Sequence, residues 1–239
     1  KTIYNCLETL LQEDPKDGTL LASFGWINYV GATSYEPVLM ARSVNPDINA
    51  DVGFAMMEEA IQINPENYWA QQTISSIKLH KGDIAGALEH AEMAVQENPA
   101  NPDNLTWLGS TLAQAGQWER AMRFAQEAID RNPDPPSQYY YTFFLKALHD
   151  NDPEAMTAAA NKLTEKGNYY ANLYSYLAAI AENDQALIQA LKPKIDEMAK
   201  RNKGDIMTVI SSRMPSEDLK QKSKRLLIKG ETLLSQLGG

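Results

Sequence analysis

Few residues in this 239-residue chain have the type and spacing that chemistry needs. Three histidines, His80, His90 and His149, are the first candidates for proton transfer or metal ligation. None of them forms an HExxH or other two-histidine spacing, the arrangement that sets two imidazoles on one helical face around a metal ion. His80 and His90 fall on successive helices of the pattern described below, so they are expected to point to different sides. All three read as surface or rim residues. The acidic run HDNDP at His149–Pro153 lacks the ligand spacing of a calcium loop and reads as a turn followed by a helix cap. Cys6 is the single cysteine, so neither an intrachain disulfide nor a cysteine zinc cluster can form. The sequence contains no GxxxxGKS/T, GxGxxG or GxSxG, hence no recognisable phosphate cradle or nucleophile elbow. The remaining Asp/Glu pairs read as outward charges on helices, not as general acid and base. The expectation is a protein that is not an enzyme and holds no cofactor and no metal.

Stepping along the chain shows what must position any binding residues. Pro65, Pro99 and Pro133 stand 34 residues apart. Ala60, Ala94 and Ala128 keep one offset before them, Gly82 and Gly116 share one position, and Ala87 and Ala121 share another. The stretch Asn101–Asn132 is the best-formed unit. Leu105, Leu108, Gly109 and Leu112 give its first helix an apolar face at helical spacing, and Gly109 lets a second helix approach closely. Gly116 ends that helix, as a residue free to take positive φ does. Trp118, Ala121, Met122, Ala125, Ala128 and Ile129 form the inner face of the second helix, which Pro133 stops. The pattern resembles the tetratricopeptide repeat, a helix–turn–helix unit of about 34 residues. The resemblance covers roughly residues 2–200, and residues 68–133 carry it most clearly.

The fold expected is all-α, a right-handed α-α superhelix (a tetratricopeptide solenoid) with a C-terminal capping helix. The array occupies residues 1–201 and the capping helices residues 202–239. The expected helices are Thr2–Glu13, one from Gly18 onward, Asn49–Ile63, Tyr68–Gly82, Asp83–Glu97, Pro102–Ala115, Gln117–Arg131, Pro136–Asp150, Pro153–Glu165, Tyr169–Glu182, Asp184–Lys200, Asn202–Ser212 and Glu217–Leu237. Pro15 ends the first of these in register, so the array is expected to begin mid-unit and to extend upstream of Lys1. Pro15 and Pro65 are 50 residues apart, an excess of 16 over one repeat. The excess falls at about residues 30–47, an insertion between two helices with a short helical turn at Val38–Arg42. Pro193 is expected to kink or break its helix.

A solenoid of this kind offers a concave surface lined by the first helix of each pair. In register, that surface is expected to present Trp69, Gln72, Ser76, Leu79 and His80, then Asp103, Thr106, Ser110, Ala113 and Gln114, then Ser137, Tyr140, Phe144 and Ala147. The partner-binding set is taken as Gln72, Ser76, His80, Thr106, Ser110, Gln114, Tyr140, Tyr141 and Phe144. Tyr139, Tyr140, Tyr141, Phe143 and Phe144 form an aromatic cluster that either serves an interface or fills the groove between repeats. Trp69, at a helix start, reads as packing. Tetratricopeptide domains that clamp the C-terminal carboxylate of chaperones carry Lys, Asn and Arg on this face. Here the matching places hold Gln72, Ser76, Trp107, Ser137 and Tyr141, so that subtype is not expected.

The net charge of −9 opposes nucleic acid or an anionic membrane surface as the main partner. The partner expected is therefore a protein or peptide, with a homodimer through the tyrosine-rich end as the second class. The alternative is a small-molecule sensor with the 30–47 insertion as a lid. The basic run Lys220, Lys222, Lys224, Arg225 and Lys229 on the last helix reads as a solvated face or, less simply, a docking patch. No stretch approaches the roughly 20 apolar residues of a membrane span. Compartment is not fixed by the sequence; the cytoplasm is favoured, and the periplasm fits a membrane-anchored regulator. The interrupted pair at Gly18–Pro65, the segment NPDPPSQYYYTFFLKAL and the ending RMPSEDLKQKSKRLLIKGETLL together resemble the C-terminal repeat region of bacterial winged-helix transcriptional regulators and class III adenylate-cyclase-like regulators. That likeness implies the sensory or regulatory part of a larger signalling protein.

Overall fold

The computed structural model describes residues 2–33, 49–201 and 205–236. These contain thirteen α-helices and no strand. The helices are α1 (Thr2–Glu13), α2 (Gly18–Thr33), α3 (Ala50–Ile63), α4 (Tyr68–His80), α5 (Ile84–Glu97), α6 (Pro102–Gln114), α7 (Trp118–Asp130), α8 (Tyr141–Asp150), α9 (Pro153–Glu165), α10 (Ala171–Glu182), α11 (Gln185–Arg201), α12 (Ile206–Arg213) and α13 (Glu217–Ser235). The 16-residue excess falls largely outside the described residues, as does the helical turn expected at Val38–Arg42.

Consecutive helices pack as antiparallel hairpins, and α2, α4, α6 and α8 also touch in succession. They form an inner layer with α3, α5 and α7 outside it, which is a solenoid. The turns explain the regularity. In the turn after the first helix of a pair one residue takes left-handed backbone: Gly82 at φ +84°, Gly116 at +75°, Asn151 at +54° and Asn183 at +62°. The following N–H then reaches back to a carbonyl in the last turn, as Asp83 N does to Lys78 O, Gln117 N to Leu112 O, and Asp152 N to Ala147 O. Aspartate at that next position caps the second helix. Asp83 accepts from Gly86 N and Asp152 from Ala155 N. HDNDP is thus the turn-and-cap that its residues predict.

Small residues set the hairpin spacing. Gly109 lies against the Ala121 carbonyl and Ala125 backbone of α7. One repeat earlier, Ser75 donates to the Ala87 carbonyl at 2.7 Å. In the first pair Gly25 of α2 meets Gly53 of α3, and a Cβ on Gly53 would lie 2.5 Å from the Gly25 carbonyl oxygen and 2.6 Å from Tyr29 N.

Three elements depart from the sequence pattern. Pro136 sits in extended backbone, so residues Ser137–Tyr140 form a 3-10 turn and the α-helix begins only at Tyr141. Pro193 lies inside α11 without ending it. The carbonyl it strips of a donor belongs to exposed Gln189, where water can serve. The basic run of α13 is partly structural: Lys222 Nζ donates to the His149 carbonyl and Lys229 Nζ to the Ala181 carbonyl at 3.1 Å. These are orphan carbonyls in the last turns of α8 and α10. Leu219 of α13 is fully buried, and Leu226, Leu227, Leu233 and Leu234 pack against the same core.

Gly53→Ala tests the hairpin spacing. Helix propensity alone favours alanine by about 1 kcal/mol, whereas backbone overpacking costs about 1–3 kcal/mol. We expect a lower midpoint in urea denaturation; an unchanged or higher midpoint would show that the α2–α3 crossing relaxes freely.

Candidate binding groove

The inner layer divides into a closed and an open half. In the closed half the chain returns on itself: α12 packs against α4, and α13 against α8 and α10. The segment Arg213–Ser216 between α12 and α13 lies against α6. Gln114 Nε2 donates to the Arg213 carbonyl at 3.2 Å, and Ser216 N donates to Gln114 Oε1 at 3.1 Å. The Tyr141 hydroxyl donates to the same Arg213 carbonyl. One glutamine therefore bonds both the last carbonyl of α12 and the N–H of the residue before α13.

The Arg213 side chain points into a cage of rings. Its Cζ lies 4.7 Å from the Tyr170 centroid and 5.5 Å from that of Tyr141, distances at which a guanidinium is attracted to a ring face. Tyr174 packs on Tyr141 and Phe144. Burial raises the Tyr141 and Tyr174 pKa values, so both phenols remain neutral. Arg213 Nη1 approaches His80 Nε2 at 3.4 Å. Burial first, and the Arg213 charge second, lower the His80 pKa to about 4. The imidazole is therefore a neutral acceptor for the guanidinium near neutral pH.

The open half lies beside it on α2, α4 and α6. Trp26, Trp69, Gln72, Thr73, Ser76, Asp103, Trp107 and Gln138 line a recess of about 200 Å³. The Ser76 side chain is buried and its Oγ has no hydrogen-bond partner. Thr73 Oγ1 donates to the Trp69 carbonyl at 2.7 Å, leaving its lone pairs to accept. Asp103 Oδ1 accepts from Tyr139 at 2.8 Å; burial and that carboxylate push the Tyr139 pKa up to about 12.

The residues expected on the concave face thus have different fates. Gln72 and Ser76 line the open recess. Thr106 and Ser110 are buried, and their hydroxyls donate back to Pro102 and Trp107 carbonyls of their own helix. His80, Gln114 and Tyr141 are engaged by the C-terminal segment. Phe144 is 0% exposed and belongs to the core. Tyr140 lies elsewhere, in a surface recess with Met122, Gln126, Phe143 and Lys162. The three histidines, read as surface or rim residues, are half-buried, and each has a specific side-chain neighbour. His80 meets Arg213, His90 Nδ1 lies 2.6 Å from Gln71 Oε1, and His149 stacks on Trp118 with Nδ1 2.9 Å from Asp218. Sequence reasoning missed the clustering of Trp26, Trp69 and Trp107, and it missed Arg213 altogether. A signal was available for the first, since the three tryptophans fall on successive inner helices. Among the described residues no group of His, Cys, Asp and Glu is arranged to hold a metal, and no helix is long and apolar enough to cross a membrane.

Residues 78–142 match the family model of the tetratricopeptide repeat. They run from the end of α4 to the start of α8, the part with the cleanest register. No curated protein matches the chain. Among solved structures, YrrB, a TPR protein with an unusual peptide-binding site, is similar at 15% identity and a TM-score of 0.46, over 92% of this chain and 97% of its own. A monomeric mutant of IFIT1 with Gppp-AAAA is similar at 14% identity and a TM-score of 0.31, over 96% of this chain and 66% of its own. Likenesses this distant transfer no ligand to the groove.

The burial of His80, with the Arg213 charge beside it, makes stability depend on pH. Unfolded histidine titrates near 6.5, folded His80 near 4. Between these values the unfolded chain takes up a proton that the folded one refuses. The contribution is therefore complete above about pH 6.5 and is lost as pH falls towards 4, by at most about 3 kcal/mol. Denaturation across this range should show the loss, and His80→Gln should flatten it; an identical slope in that variant would assign the effect to other groups.

Proposed function

We propose that the chain is a non-enzymatic interaction module that binds an extended peptide segment of a protein partner on the open half of its concave face. The observation that carries this reading is the recess among Trp26, Trp69 and Trp107. Three large, stiff side chains converge on one concavity, and tryptophan supplies much contact area for little lost rotamer freedom. The neighbouring half supports the mode of binding. There Gln114 and Tyr141 already bond main-chain groups, the last carbonyl of α12 and the N–H that precedes α13, so side chains on this face can serve backbone donors and acceptors. The tetratricopeptide match of residues 78–142 agrees with a scaffold role. The layout likeness to bacterial regulators supports placing the module in a larger signalling or transcriptional protein, where groove occupancy would be the input.

Selection from a phage-displayed peptide library, followed by fluorescence anisotropy, tests the assignment. Trp69→Ala or Trp107→Ala should weaken a selected peptide by about thirtyfold, the loss typical of an interface anchor at ~2 kcal/mol. Met122→Ala, in the other recess, should leave affinity unchanged. Equal affinity in the tryptophan variants, with helicity intact by circular dichroism, would move the site off this face.

A further inference from the structure

The open recess has a definite chemical preference, and this step rests on its being the binding site. We infer that it is a subsite for a guanidinium group, the side chain of an arginine in the partner segment. Three observations lead there. The first is charge. Among the described residues Asp103 is the one ionisable side chain lining the recess, and no Lys, Arg or His lines it. An anionic side chain would meet a carboxylate and no compensating cation.

The second is hydrogen-bond polarity. Thr73 has spent its proton on the Trp69 carbonyl, so its oxygen can only accept. Asp103 Oδ1 takes one bond from Tyr139, and the carboxylate retains further acceptor capacity. Ser76 Oγ is buried and unpartnered. Gln72 and Gln138 each bring an amide that donates and accepts, and the indoles bring N–H donors. The groups that can only accept are Thr73 and the Asp103 carboxylate, and a partner group that donates to both is favoured. Guanidinium carries five N–H donors and accepts none.

The third is the ring environment. Tryptophan is the best of the aromatic faces for a cation, and guanidinium is planar and weakly hydrated, so it stacks on rings better than an ammonium does. The same concave face already performs this recognition once. Arg213 sits over Tyr170 and Tyr141 with its main chain bonded to Gln114. The open half offers a comparable ring setting in Trp26, Trp69 and Trp107 and adds a carboxylate, Asp103, that the Arg213 cage lacks, with no residue of the described chain lining it as a cation. A lysine would satisfy the charge but not the planar stacking, and an apolar side chain would leave Ser76 and Asp103 unserved.

The experiment uses N-acetyl-L-arginine methylamide as probe and follows the indole Nε1–H resonances of the ¹⁵N-labelled protein. Trp118 is an internal control, because it stacks on His149 away from the recess. The resonances of Trp26, Trp69 and Trp107 should move with a roughly millimolar midpoint, while that of Trp118 stays. Asp103→Asn, which keeps an acceptor for Tyr139, should weaken the probe about tenfold, and N-acetyl-L-norleucine methylamide should not saturate the shifts. Equal responses to the arginine and norleucine probes, insensitivity to Asp103→Asn, or no movement of the three resonances would overturn the guanidinium assignment. Library peptides whose affinity depends on Trp69 and Trp107 but which carry no arginine would overturn it as well, while leaving the groove reading intact. Peptides indifferent to both tryptophans would remove the groove reading itself.

Discussion

Arg213 is the residue around which the closed half of this molecule is arranged. Taking a guanidinium out of water costs several kcal/mol unless something replaces its hydration. Among the described residues no carboxylate pairs with it. Tyrosine rings, a neutral imidazole and the packing of Tyr174 take that place, while its main-chain carbonyl is held by Gln114 and Tyr141. Once Arg213 is seated, Met214 is drawn into full burial and Leu219 of α13 follows into the core. The lysines of α13 then reach the carbonyl ends of α8 and α10. The C-terminal helices therefore do more than cap the last repeat. They join α4 and α6 to α8 and α10 through the concave face, and they decide which part of that face stays open.

The parts of this arrangement that were legible in the sequence are the local ones. A left-handed residue followed by a capping aspartate, as in Gly82–Asp83 and Asn151–Asp152, is written in two adjacent positions. Gly109 against Ala121 and Ala125 is written in a 34-residue register. The helices α3 to α7 follow from such signals within a residue or two. The return of the C-terminal segment is not local. Gln114 and Arg213 are 99 residues apart, and no periodicity links them, because the segment that returns is not a repeat. A register can list inner-face positions; it cannot say which of them the chain will cover with itself.

Tyr140 and Phe144 failed for a different reason. One repeat added to Thr106 and Ser110 reaches the groove at these positions only if the helix is continuous. The extended backbone at Pro136 puts a 3-10 turn there. Such a turn advances roughly 20° more per residue than an α-helix, on the order of 80° over four residues. That offset is enough to carry Phe144 from the groove into the core and Tyr140 onto another surface. The α-helix that starts after this turn opens on Tyr141, one of the two rings under Arg213, while the other, Tyr170, comes from the start of α10.

Both halves of the concave face hold an unpartnered buried polar atom, Arg213 Nε in the closed half and Ser76 Oγ in the open one. In the closed half Gln114 has partners at both ends of its amide. In the open half Ser76 is 2% exposed and its hydroxyl unpartnered. A buried, unpaired polar group costs about 1–3 kcal/mol, and a protein that can avoid this with alanine usually does. Asn104 and Thr142 also leave a side-chain oxygen unpaired, so an orphan alone does not mark a site. Ser76 differs because it lines a concavity shared with three tryptophans and a carboxylate. There the unpaired oxygen is free energy that an arriving donor recovers, and a covered groove beside an open one would keep that recovery for a partner instead of for the chain itself.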